Sequence, residues 1–190
     1  MITERQKVPR LDEAAVGLLV VDVQERFAPV IHEWAGLLDR VGRLIRFFRL
    51  LKAPIGVTEQ YPKGLGATVP EVCEALGGEA AWTLAKTRFS AAGTPELLKP
   101  LKDSGRRQWV VCGIEAHVCV QQTVLDLLDA GYGVFVPADA VSSRRPLDRD
   151  AALTRMARAG AVVSTSESLV FEVLRDATHP LFKQASALVK

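Results

Sequence analysis

Residues 109–140, WVVCGIEAHVCVQQTVLDLLDAGYGVFVPADA, change hydrophobic period twice in one short stretch. Residues 109–112 are a β-prone apolar run that Gly113 ends. From Val118 the spacing becomes helical, with Val120, Val124, Leu125, Leu127 and Leu128 on one stripe. Gly131 and Gly133 close that helix, and Val134 to Val136 begin another strand. A strand, a helix and a strand joined this tightly make a crossover unit, and crossovers join parallel strands.

The rest of the chain repeats the alternation. Residues 16–23, VGLLVVDV, form a near-continuous apolar run, the pattern of a central strand buried on both faces. Asp22 interrupts it near the end. A lone buried carboxylate is costly, so an acid here is either in the mouth of a site or an error of burial. Residues 34–52 read as a long amphipathic helix that Pro54 ends, and residues 55–58 as a second strand. The loop EQYPKGLGATVP and a short helix over residues 71–76 follow. Residues 82–86 read as a short strand, and Thr94-Pro95 opens a helix that runs to Asp103. After residue 140, Asp148 is read as the cap of a helix reaching Ala159, and residues 161–165 as a strand. Ser164 and Glu167 read as a capping box for a helix over 168–174, and a last helix covers 180–189. The expectation is one domain over residues 1–190, an α/β fold. It is a three-layer α/β/α sandwich on a six-stranded, mainly parallel sheet in the order 3-2-1-4-5-6.

Composition narrows the function classes. Hydrophobic residues are 48% of the 190, enough for one sizeable core. The formal charge of +2 has no basic block behind it, so nucleic acid is not an expected partner. No apolar run approaches the length of a membrane span, and the polar start MITERQKVPR has no leader-like apolar region. Three cysteines argue for free thiols in a reducing compartment, so a cytoplasmic location is expected. His32, His117 and His179 show no paired ligand spacing, so no bound metal such as zinc is expected.

Three reactive groups fall at strand ends: Asp22, Lys86 and Cys119. Cys119 occupies the first turn of a helix, where free N–H groups and the helix dipole are expected to draw a thiol pKa below its usual value of roughly 8.5. Taken alone, such a cysteine is simply a small residue packed at a helix start. In the proposed order, strands one and four flank the switch point of the sheet, so Asp22 and Cys119 share a crevice there. Asp22 can take the thiol proton, and Lys86 is expected to hold Asp22 ionised and favour the thiolate. Without the cysteine, Asp22 and Lys86 would read as an ion pair bracing a strand end. His117 is two residues from Cys119 and points elsewhere, so it is not the partner. Phe27, Gln60 and Tyr61 follow strand ends on the same edge and are the candidate substrate-pocket residues. Cys73 and Cys112 read as small buried hydrophobes.

Over nearly its full length the chain resembles the isochorismatase-like cysteine hydrolase superfamily. LLVVDVQERF, KTRFSA and VVCGIEAHVCVQQTVLDLLDAGYGVFVPADAVSSR carry the resemblance. TEQYPKGLGATVPE, GIEAHVCVQQT and TSESLVFEVL are similar to the isochorismatase domain-containing proteins within it. The resemblance implies an Asp-Lys-Cys triad at Asp22, Lys86 and Cys119, and a cis peptide at Ile114–Glu115. It also implies an oxyanion hole from the N–H groups of Glu115 and Cys119, and homo-oligomers. The metal segment of nicotinamidases is absent, since TEQYPKGLG has no histidine. The function implied is cofactor-independent hydrolysis of a small amide or related C–N bond through a thioester. The alternative is a non-catalytic binding or scaffolding protein on the same fold. A nucleotide-binding reading lacks its glycine-rich loop, because DVQERF follows the first strand.

Overall fold

A computed structural model describes residues 8–78 and 80–190. The polar residues 1–7, read above for a leader, lie outside them. Strand β1 (Val16–Val21) is buried at every position and lies inside a six-stranded sheet. The other strands are β2 (Ile55–Gln60), β3 (Trp82–Lys86), β4 (Gln108–Gly113), β5 (Gly133–Pro137) and β6 (Val162–Ser164). Every pairing is parallel and the order is β3-β2-β1-β4-β5-β6, as the alternation of strands and helices implied.

Successive β1 side chains serve opposite cores, as the two-residue strand period requires. Leu18 and Val20 pack on the face covered by α1 (Trp34–Leu50), α3 (Pro70–Leu76), α7 (Ser166–Leu174) and α8 (Phe182–Val189). Leu19 and Val21 pack on the face covered by α4 (Pro95–Asp103), α5 (Gln121–Asp129) and α6 (Pro146–Arg158). Each such buried Val or Leu contributes about 1.5–3 kcal/mol relative to exposure. That holds the centre of the sheet firm, and the strand ends beside it inherit the rigidity.

Several boundaries differ from the sequence reading for local reasons. A short helix, α2 (Pro62–Leu65), sits inside the segment read as loop. Pro146 takes the first helical position of α6, so Arg145 is its cap residue. Asp148 falls inside the first turn, where its charge still complements the helix dipole. At α7 the cap is Thr165, whose Oγ1 accepts the Ser168 N–H, and not Ser164. No helix among the described residues is long and apolar enough to cross a membrane.

One glycine is required at the centre of the sheet. Gly113 ends β4 at φ 110°, and a Cβ there would lie 2.1 Å from the Val21 carbonyl oxygen. Only a residue without a side chain lets β4 pass β1 this closely.

Candidate active site

Register brings the candidate residues to one edge. Val21 pairs with Thr58 on one side and with Gly113 on the other, and Gln60 pairs with Lys86. The residue after β1, Asp22, therefore lies between the ends of β2 and β4. Its backbone turns into the left-handed region at φ 54°, where a residue with a Cβ is strained by about 1–2 kcal/mol. Thr58 holds it there: the Asp22 N–H donates to the Thr58 carbonyl at 3.0 Å.

Both oxygens of the buried Asp22 carboxylate have donors. Thr58 Oγ1 donates to Oδ1 at 2.6 Å, and Lys86 Nζ donates to Oδ2 at 2.6 Å. The Lys86 ammonium also donates to Gln60 Oε1 at 2.8 Å and to the Phe89 carbonyl at 2.9 Å. An ammonium has three N–H bonds, and Asp22, Gln60 and Phe89 accept from them, while Lys86 also lies close enough to the Cys119 thiol to favour its ionised form. It acts on its surroundings as a fixed charge. The Asp22 and Lys86 side chains are buried almost completely. Removing two charges from water offsets much of their attraction, so such a pair is weak evidence of stability and better evidence of a site.

Cys119 lies in a π-helical turn, Ala116–Val120, that leads into α5. Single π turns are often found at functional sites. Thr123 Oγ1 donates to the Cys119 carbonyl at 2.7 Å and accepts from the Ala91 N–H at 2.8 Å. The segment after Lys86 is thereby tied to the cysteine's turn. Cys119 is 5% exposed, and Asp22 and Lys86 both act on its thiol. Burial first, and then the charge of Asp22, push its pKa up to about 12, although Lys86 pulls the other way. This corrects the expectation of a thiolate: the resting group is a neutral thiol beside a carboxylate. Position at a helix start favours ionisation only while the group meets water, and here desolvation and a like-charged neighbour win.

The Ile114–Glu115 peptide is cis. The Glu115 N–H donates to no acceptor among the described residues. Its carboxylate accepts from the N–H and the Nε of Arg144 at 3.2 and 3.0 Å. The Ala116 N–H donates to the Ser142 carbonyl, so the loop after β5 straps this turn in place. His117 Nδ1 lies 3.0 Å from Ser143 Oγ, which gives the ring a partner other than Cys119.

The pocket candidates separate. Gln60 is not a free wall: Oε1 accepts from Lys86 and Nε2 donates to the Thr87 carbonyl, so its amide aims the lysine. Phe27 is half-buried and packs against the core beneath α1. Tyr61 is exposed, and its N–H donates to the Lys86 carbonyl at 2.8 Å. With Arg88 and Leu97 it lines a groove of about 610 Å³ that reaches Lys86. Of the other cysteines, Cys112 is buried and Cys73 is exposed, so only Cys112 fits the reading of a small core residue. Thr58 was missed as a site residue. Its signal was a polar side chain two positions before Gln60, on the same side of an otherwise buried strand. No group of three or more His, Cys, Asp or Glu residues that could hold a metal occurs among the described residues.

Residues 16–168, which contain all of these groups, match the isochorismatase domain. The chain belongs to the isochorismatase family. Isochorismatase domain-containing protein 2 of Homo sapiens is 42% identical over 191 aligned residues, covering 100% of this chain and 90% of the relative. Among solved structures, MAR1 ribonuclease from Caenorhabditis elegans is 41% identical with a TM-score of 0.88. The match covers 95% of this chain and 92% of that one. The YcaC product of Escherichia coli, described as an octameric hydrolase of unknown specificity, is 25% identical with a TM-score of 0.88. There the coverage is 97% of this chain and 91% of that one. Isochorismatase-family membership and the sheet order agree with the shared fold.

Proposed function

We propose that the chain is a cysteine hydrolase that cleaves a small amide or related C–N bond without a cofactor. The observation that carries the proposal is a buried Cys119 whose thiol feels an Asp22 carboxylate held on both oxygens, together with a Glu115 N–H that has no acceptor among the described residues. In the first step Cys119 Sγ attacks the substrate carbonyl and its proton passes to Asp22. The N–H groups of Glu115 and Cys119 receive the oxyanion; one such donor is worth about 10²–10³ in rate in well-studied hydrolases. Collapse breaks the C–N bond, and Asp22 returns the proton to the leaving nitrogen. Water, deprotonated by Asp22, then cleaves the thioester and frees Cys119. Lys86, hydrogen-bonded to Oδ2, fixes the Asp22 carboxylate and supplies a positive field as sulfur loses its proton.

This division of labour suits a thiol that is neutral at rest. The proton leaves only when a carbonyl is in place, so the site does not carry a standing buried thiolate. We further propose a homo-oligomer acting in the cytoplasm on a small molecule, with neither nucleic acid nor membrane as partner. The exposed Val30, Tyr61, Phe89 and Leu147 are candidates for surface covered between subunits.

The ribonuclease name of one similar structure favours a second reading, cleavage of RNA. A non-catalytic scaffold is the third. A panel of small amides, ureides and carbamoyl compounds, run beside an RNA oligonucleotide, separates them. The proposal expects turnover of at least one C–N compound and its loss on alkylation of Cys119. Cleavage of RNA alone, or no turnover of anything with Cys119 inert to alkylation, overturns it.

A further inference from the structure

Thr58 is wholly buried and makes two contacts with Asp22, one from each end of the residue. Its carbonyl accepts the Asp22 N–H, and its hydroxyl donates to Oδ1. The first contact fixes the left-handed backbone; the second fixes the plane of the carboxylate. Lys86 approaches the other oxygen, Oδ2, and its remaining N–H groups go to Gln60 and Phe89. The two donors therefore pull on different oxygens. A buried carboxylate oxygen without a donor is costly, and an ammonium is the nearest remedy. If the Thr58 hydroxyl were missing, the carboxylate would swing so that Oδ1 and Oδ2 share the one Lys86 N–H that Asp22 already holds. That motion would change the orientation in which the carboxylate acts on the Cys119 thiol.

We propose that Thr58 is a positioning residue for the base: its hydroxyl keeps the Asp22 carboxylate off a two-oxygen embrace with Lys86 and aimed at Cys119. The proposal rests on the reading of Asp22 as the acceptor of the Cys119 proton. It predicts that the hydroxyl, and not the shape of the side chain, sets the reactivity of Cys119.

The test needs no substrate. Iodoacetamide alkylates a cysteine when Sγ displaces iodide, forming the C–S bond as the thiol proton passes to a base. The rate is read at neutral pH from the mass of the peptide that carries Cys119, because Cys73 and Cys112 are also free thiols. Thr58→Val keeps the shape and deletes the hydroxyl; Thr58→Ser keeps the hydroxyl and deletes the methyl. Loss of a hydrogen bond to a charged group predicts slowing by about 10- to 100-fold in Thr58→Val. Thr58→Ser should recover most of that loss. Circular dichroism checks the fold, and if Thr58→Val does not fold, Thr58→Ala against Thr58→Ser carries the same comparison. A parent rate in the hydroxyl-free variant, or a serine variant as slow as it, overturns the proposal. Asp22→Asn separates the two levels. Slow alkylation in Asp22→Asn with a parent rate in Thr58→Val removes the role of Thr58 alone. A parent rate in Asp22→Asn removes the base assignment, and the role of Thr58 with it.

Discussion

Replacing Cys119 with alanine should change how stability responds to pH, and the size of the change follows from the site. An unfolded cysteine titrates near the ordinary thiol value of 9.0, whereas the folded thiol is pushed up to about 12. At pH 10 the unfolded thiol is therefore ionised about ten to one, which stabilises the unfolded chain by about 1.4 kcal/mol. The folded thiol is still protonated and gains almost nothing. A group whose folded pKa is raised supports the fold fully below its unfolded pKa and loses that support as pH climbs toward the folded value. The window here is pH 9 to 12. Urea unfolding of the parent and of Cys119→Ala at pH 7 and pH 10 compares two proteins that differ in this one titrating group. The parent should lose about 1.4 kcal/mol more than the variant between the two pH values. At pH 10 the result is insensitive to whether the folded value is nearer 11 or 12. An equal loss in both proteins would show that the folded thiol is as acidic as a free one. A smaller loss in the parent would show a thiolate at rest, and the account of a proton transferred during attack would fail.

Gly113→Ala should destabilise by at least about 2 kcal/mol, since the new Cβ meets the Val21 carbonyl and the backbone is held at positive φ. A urea midpoint close to the parent's would show that β4 can move away from β1 at little cost. Elemental analysis of the purified protein should find no stoichiometric zinc or iron, and one tightly held transition metal per chain would send the chemistry elsewhere. Light scattering should give at least a dimer at micromolar concentration, against a monomer of 20.7 kDa.

The parts of this molecule that were readable in its sequence are those set by local pattern. β1 was visible because a strand buried on both faces has nowhere to place a polar residue before Asp22. The strand order followed from alternation and the handedness of crossovers. The start of α4 was visible because Thr94 and Pro95 each perform their helix-start role from sequence alone, and Thr94 Oγ1 does accept the Leu97 N–H. What escaped depends on contacts between distant segments. The raised thiol pKa needs the depth of Cys119 and the nearness of Asp22, neither of which is a property of the segment around the cysteine. Gln60 looked like a pocket residue because it ends a strand on the right edge. Its amide is instead used up between Lys86 and Thr87, a pairing set by the β2–β3 register. The two misplaced caps have a smaller cause. Ser164 directly precedes Thr165 and Asp148 lies three residues past Arg145, so a residue with good capping chemistry drew each boundary one to three positions away.

The central claim is that Cys119 and Asp22 work as one unit in cleavage of a C–N bond. The direct measurement is the turnover number of a substrate from the amide panel in the parent, Cys119→Ala, Asp22→Asn and the double variant, each shown to be folded by circular dichroism. Groups that act as a unit lose their effect together. Each single change should therefore abolish nearly all turnover, and the double variant should be little worse than either. Turnover retained in a folded Cys119→Ala would contradict the covalent mechanism and leave direct attack by water in its place.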